Sequence, residues 1–286
     1  MAIVIDGKKV AADMKAELSR EVEILKQKGT NPSLAVILVG DDPASAVYVR
    51  NKHKTCLELG ITSIEIKLPG ETTEEDLIAK INELNSDNSV HGILVQLPLP
   101  RHISSERVIT SILPEKDVDA FTRDSVGRIV EGKYGFLPCT PAGIMKLLES
   151  YGVSVDGKDC VVVGRSNIVG KPMALLLLNA NGTVTVCHSK TKNLADVTKS
   201  AEILVVAVGR PRFITADMVK PGAVVIDVGI NRTADGKLCG DVDFESVSEI
   251  AGMITPVPGG VGPMTITMLM QNTVFAAKNI DKKTKI

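Results

Sequence analysis

Short apolar runs alternate with amphipathic segments along almost the whole chain, and that rhythm constrains the fold more than any other feature. Apolar runs at 34–40 (LAVILVG), 63–68 (SIEIKL) and 92–99 (GILVQLPL) are separated by helical patterns at about 8–28, 44–59, 73–85 and 104–112. The second half repeats the rhythm at 160–164, 183–188, 202–209 and 223–229, followed by a glycine- and proline-rich stretch at 252–265 and a last helix to about Ala277. Unbroken apolar runs suit strands buried on both faces, and parallel strands need helical crossovers of this length. The fold class implied is α/β: two α/β lobes around a cleft, the second a Rossmann-like dinucleotide-binding domain. Thr72 or Thr73 is placed to cap the third helix, and the charged tail 278–286 is expected to fray.

The stretch 128–143 (RIVEGKYGFLPCTPAG) marks the approach to the second lobe, with Thr140 as the expected cap of a helix that has Pro141 at its first position. The domains are therefore drawn as 1–139 together with 264–286, and 140–263. A formal net charge of −1 on 286 residues gives no reason to expect nucleic acid or a membrane as partner. The five cysteines and four histidines are dispersed, without zinc-ligand or disulfide spacing. No metal is expected, and a reducing, cytoplasmic compartment is.

The stretch VVVGRSNIVGKP (161–172) follows a strand and opens a helix, the context of a phosphate-binding turn. Ser166 stands where the dinucleotide fingerprint has its second glycine, and Gly170 falls one residue late. The stretch also departs from a nucleotide-hydrolysing loop: five residues separate Gly164 from Gly170, one too many, and Lys171 is followed by Pro172 instead of Ser or Thr. In NAD-binding units an acid about 20 residues on takes the ribose hydroxyls. Here the next strand ends CHSKTK (187–192), with no acid. Arg165 and Ser189, with Lys190 and Lys192 close by, favour a 2′-phosphate, and hence NADP. The candidate cofactor residues in this stretch are Gly164, Arg165, Ser166, Gly170 and Ser189.

In VYVRNKHKT (47–55), Tyr48 and Lys52 stand four apart on one helix face. Short-chain dehydrogenases also pair Tyr and Lys at this spacing, but there the cofactor fingerprint precedes the pair, the reverse of the order here. Gln96 ends an apolar strand, at the edge of a parallel sheet where ligands bind. Asp117 and Asp119 lie in a loop, where turn capping is the ordinary task. PVPGGVGPMT (256–265) holds a rigid backbone that a ligand can approach closely at Gly259 and Gly260, and Thr265 is placed to serve the start of the last helix.

Read together with VGDDPASAVYVRNKHKTCLELGI (39–61), PEKDVDAF (114–121), PCTPAGI (138–144) and VIDVGINR (225–232), these stretches closely resemble the methylenetetrahydrofolate dehydrogenase/methenyltetrahydrofolate cyclohydrolase family, in order across nearly the whole chain. The resemblance implies a bifunctional enzyme of one-carbon metabolism. It would oxidise 5,10-methylenetetrahydrofolate with NADP⁺ and hydrate the methenyl product to 10-formyltetrahydrofolate. By the same resemblance Tyr48 stacks on the folate and Lys52 is the central cyclohydrolase residue. Gln96 pairs with Lys52, Asp119 holds the pterin, and Gly259 and Gly260 contact the substrate. Ile230 joins the cofactor-binding set, and a homodimer forms through the cofactor lobe. Lys52 can take a proton from water only when neutral; against an ordinary lysine pKa of about 10.4, a value near 7 requires roughly 4–5 kcal/mol of bias. A monofunctional dehydrogenase and a non-catalytic dinucleotide-binding regulator are the alternatives. One departure stands out: the family commonly has glycine after the second aspartate of Asp-Val-Asp, and this chain has Ala120. A positive φ there would strain the loop that presents Asp119.

Overall fold

A computed structural model describes residues 1–233 and 236–284, the side chains of 281–284 aside. Its strands are β1 (Ile3–Val4), β2 (Ser33–Val39), β3 (Thr62–Leu68), β4 (Gly92–Val95), β5 (Asp159–Val163), β6 (Thr183–Cys187), β7 (Ile203–Val206), β8 (Val224–Asp227), β9 (Asn231–Arg232), β10 (Leu238–Cys239) and β11 (Met253–Ile254). Its helices are α1 (Gly7–Gln27), α2 (Pro43–Leu59), α3 (Glu74–Ser86), α4 (Ser105–Thr110), α5 (Arg123–Val130), α6 (Cys139–Ser150), α7 (Gly170–Asn179), α8 (Leu194–Thr198), α9 (Phe244–Ser248) and α10 (Val261–Thr284). The chain divides into two compact units. One is Met1–Ala12 with Pro138–Thr265; the other is Asp13–Leu137 with the residues from Ile266 on.

The first unit is built on a parallel sheet in the order β1-β11-β8-β7-β5-β6. Strand order reverses beside β5: β6 lies on one side of it and β7 on the other, so a crevice opens at the carboxyl ends of β5 and β7. The core is aliphatic, with Val161, Val163, Leu204, Val206, Val225 and Ile254 all buried. Cys160 and Cys187 belong to this interior as small apolar residues. The first twelve residues were expected with the other domain. They belong here because β1 pairs with β11, Ile3 opposite Met253, and adds an edge strand.

The second unit holds the parallel sheet β3-β2-β4. Every residue of the central β2 is buried, as its unbroken apolar sequence requires. Each of its large aliphatic side chains contributes about 1.5–3 kcal/mol by leaving water. Thr73 caps α3, accepting from the Asp76 amide, and Glu74, Glu75 and Asp76 favour the positive end of that helix. The strand expected over 92–99 stops at Val95, because Pro98 and Pro100 have no amide to donate to a ladder. Helix α10 closes this unit. The Asn272 Nδ2 donates to the carbonyls of Val118 and Leu137, and Cys56 Sγ lies 3.4 Å from Met270 Sδ.

Three local expectations are corrected. Thr140 is not a cap: α6 starts at Cys139, two residues before the expected Pro141, and the Thr140 hydroxyl is 2.9 Å from that of Thr265. Thr265 itself lies inside α10, which begins at Val261. That helix also runs past Ala277 to Thr284, so the charged stretch expected to fray is helical that far; residues 285 and 286 lie outside the described residues.

Candidate active site

The residues proposed from sequence fall into two groups, one in each unit. In the second unit, Asp42 caps α2 by accepting from the Ser45 amide, and Pro43 pre-sets the first turn. Two turns on, the helix presents Tyr48 and Lys52 on one face. Tyr48 is 42% exposed, which leaves it able to receive a planar partner. The Lys52 Nζ donates a 3.0 Å hydrogen bond to Gln96 Oε1, and the Gln96 Nε2 donates in turn to the Leu97 carbonyl at 2.7 Å. Gln96 is positioned because its amide still pairs with the Ile37 carbonyl just beyond the end of β4. The sheet edge therefore aims the amide group, and the amide group aims the amine. Cys56, one turn on from Lys52, is no rival nucleophile: burial pushes its thiol up to about 12.

Asp117 and Asp119 divide their labour. Asp117 is buried and accepts from the amides of Phe121 and Thr122 and from the Ser125 hydroxyl, which makes it the staple of the loop. Asp119 is half-exposed on that stapled loop. The residue after it, Ala120, has φ 57°, the left-handed conformation that glycine adopts without cost. The strain anticipated from the departure at this position is present, and Asp117 holds the loop against it.

In the first unit, the turn after β5 leaves no room for side chains at its two glycines. Gly164 has φ 130°, and a Cβ there would overlap the Ala207 carbonyl; one at Gly170 would overlap the carbonyl of Gly164. Ser166 closes the turn by accepting from the amides of Val169 and Gly170. The result is a bare backbone cradle leading into the positive end of α7, suited to a pyrophosphate. Beside it lies a cavity of about 420 Å³ lined by Gly164, Arg165, His188, Ser189, Thr191, Ala207, Arg210 and Phe213, among others. Arg165 and Ser189 both line it, whereas Lys190 and Lys192 are not in its wall. Ile230 is half-exposed in the loop after β8. Gly259 and Gly260 belong to this unit too. Their stretch packs on the start of α1, where the Lys8 backbone amide donates to the Gly259 carbonyl and a Cβ on Gly7 would overlap the carbonyl of Gly260.

Two buried carboxylates organise the loops of this crevice, and sequence reasoning named neither. Asp227, at the end of β8, accepts from the amides of Gly229, Asp241 and Val242. Burial pushes its carboxyl up to about 6, against the pull of those donors. Asp241, fully buried, accepts from the amides of Val208, Gly209 and Arg210 and from the Asn231 side chain. An acid ending an apolar strand, as in VVID, was the available signal for the first; for Asp241 only its fully buried geometry tells.

Comparison with known proteins agrees with both halves. The catalytic-domain family model of tetrahydrofolate dehydrogenase/cyclohydrolase matches residues 5–119, and the NAD(P)-binding-domain model matches 138–281. The chain is 62% identical over 278 residues to the bifunctional protein FolD of Agathobacter rectalis, covering 97% of this chain and 100% of the relative. The bifunctional FolD structure from Campylobacter jejuni is 54% identical with a TM-score of 0.97, covering 98% of this chain and 99% of that one. That of Trypanosoma brucei, complexed with NADP cofactor and inhibitor, is 40% identical with a TM-score of 0.94, covering 100% and 99%. With both domain models matched in order and relatives this similar along their full length, the chain belongs to the tetrahydrofolate dehydrogenase/cyclohydrolase family.

Proposed function

We propose that this protein oxidises 5,10-methylenetetrahydrofolate to the 5,10-methenyl form with NADP⁺ and hydrolyses that product to 10-formyltetrahydrofolate. The observation that carries the reading is the 3.0 Å Lys52–Gln96 hydrogen bond on a helix that also presents an open tyrosine ring. NADP⁺, when bound, supplies the hydride acceptor. Gly164, Ser166 and Gly170 fit its pyrophosphate, Arg165 and Ser189 its 2′-phosphate, and Ile230 offers an apolar contact. Tyr48 stacks on the folate, Asp119 hydrogen-bonds the pterin, and the backbone at Gly259 and Gly260 approaches the substrate.

Oxidation needs no enzymic base, because the lone pair of the adjacent folate nitrogen drives the hydride off the methylene carbon. Orientation is what the protein contributes. Hydrolysis is different. Water bonds to the cationic methenyl carbon and loses one proton. As the remaining hydroxyl proton is lost to form the carbonyl, N5 takes up a proton and its bond to that carbon breaks, leaving the formyl group on N10. Lys52, when neutral, takes the water's proton. The cationic substrate biases Lys52 toward that neutral form. A carboxylate in place of Gln96 would oppose it; a neutral amide orients the amine without stabilising its charge.

We further propose a cytoplasmic homodimer. Strand β6 ends the sheet of the first unit, and Val186 on it and Leu178 on α7 are 39% and 56% exposed, the apolar edge that a second copy would cover. A two-wavelength assay tests the enzymatic reading by following reduced cofactor and methenyltetrahydrofolate separately. Reduced cofactor should form with little methenyl accumulation. Lys52→Met should reduce methenyl hydrolysis to the buffer rate; a variant that hydrolyses as fast as the wild type removes Lys52 from the mechanism.

A further inference from the structure

The cavity beside the Gly164 turn contains a second guanidinium. Arg210 lies on the loop after β7, in the same lining as Arg165, His188, Ser189 and Thr191, and among the described residues that lining contains no carboxylate. Two features pre-set it. Its amide is fixed to the buried Asp241 carboxylate at 2.8 Å, and its guanidinium sits 4.2 Å above the centre of the Phe213 ring. A stacked guanidinium keeps its N–H fork in the plane of the stack, with its edge free for an anion. A ribose with free hydroxyls asks for a carboxylate acceptor. A wall with two arginines and two hydroxyls asks instead for a dianion held by charge-assisted bonds from more than one side.

We propose that Arg210 is a specificity-determining residue for the cofactor, binding the ribose 2′-phosphate from the wall contributed by the β7 loop while Arg165 and Ser189 bind it from the walls contributed by the β5 and β6 loops. Phe213 and Asp241 are its positioning residues, one through the ring stack and the other through the backbone. The inference rests on the NADP reading of this cavity and adds to it a residue supplied by a different strand end. Discrimination between NADP and NAD is thereby shared between two arginines on separate loops.

Calorimetric titration of the full chain with 2′,5′-ADP and with 5′-ADP reads this without any folate chemistry. Arg210→Gln should weaken 2′,5′-ADP about ten- to thirty-fold and 5′-ADP less than twofold; Arg210→Lys should recover part of the loss; Phe213→Leu should fall between wild type and Arg210→Gln. Arg210 is exposed, so the fold should survive, and an unchanged melting temperature checks that it does. Equal losses for both nucleotides would make Arg210 an adenine platform and overturn the assignment, as would an undiminished preference for 2′,5′-ADP in Arg210→Gln. A wild-type chain that binds the two nucleotides alike would sink the NADP reading itself, and the Arg210 proposal with it.

Discussion

Replacing Asp241 by asparagine tests whether the nucleotide crevice is held together as described. The carboxylate is fully buried, with Oδ2 accepting from Val208 and Gly209 at 2.6 and 2.9 Å, and Oδ1 from Arg210 and Asn231 at 2.8 Å each. The amide of Asp241→Asn keeps one oxygen, and it turns an NH₂ toward two donors that have no other acceptor in that geometry. A buried donor left unpaired costs about 1–3 kcal/mol, so the loop should lose roughly 2–6 kcal/mol. Against a typical total of about 5–15 kcal/mol for a folded protein, that is a large local effect. Hydrogen exchange of the peptide spanning 207–211 measures it directly. Its amides should open more easily by that amount, while peptides from β2 and β4 in the other unit keep their protection. Binding of 2′,5′-ADP should weaken in parallel, because the same bond sets the Arg210 backbone. Protection of 207–211 within about 0.5 kcal/mol of wild type would refute the argument.

Two further outcomes follow from the same unit. Gly164→Ala should abolish cofactor binding or prevent folding of the first unit, since the new methyl would meet the Ala207 carbonyl at a φ of 130°; normal NADP affinity in a folded Gly164→Ala protein would contradict the close approach of β5 and β7. Asp227, with a folded pKa of about 6 against an ordinary 3.8, binds its proton more tightly folded than unfolded, so its contribution is largest below pH 4 and is lost as pH rises through 6. Between pH 4.5 and 7.5 the wild type should lose roughly 2 kcal/mol relative to Asp227→Asn in urea unfolding, and parallel pH profiles would exclude this.

What could be read from the sequence divides along physical lines. β2, β3 and β5 lie within a residue of the expected runs: β2 and β5 because strands buried on both faces exclude polar residues, and β3, an edge strand, because Ile64, Ile66 and Leu68 alternate with exposed or polar positions. β1 was not foreseen: a two-residue strand carries no periodicity, and its partner β11 lies some 250 residues away in sequence. Tyr48, Lys52 and Gln96 were legible because helix spacing and strand ends are local properties. Asp227, Asp241 and Arg210 were not, since what a carboxylate or guanidinium does depends on donors and rings brought to it from other loops. Ala120 shows the intermediate case. The sequence exposed the departure from glycine, and the backbone then supplied the reason, a φ of 57°.

The order in which the two units draw on the chain has a consequence during synthesis. Asp13–Leu137 leaves the ribosome early, yet its closing helix, with Met270 and Asn272, follows only after the roughly 130 residues of Pro138–Thr265. The first twelve residues likewise emerge long before β11, which they must pair with. At about 5–20 residues per second, each early segment is without its partner for on the order of ten seconds or more. Neither unit can complete its native pairing as a stand-alone nascent domain. Both must wait for the residues from about 253 on before they mature, and a pause between residues 137 and 266 should lengthen the exposure of the unfinished β2–β3–β4 layer to chaperones.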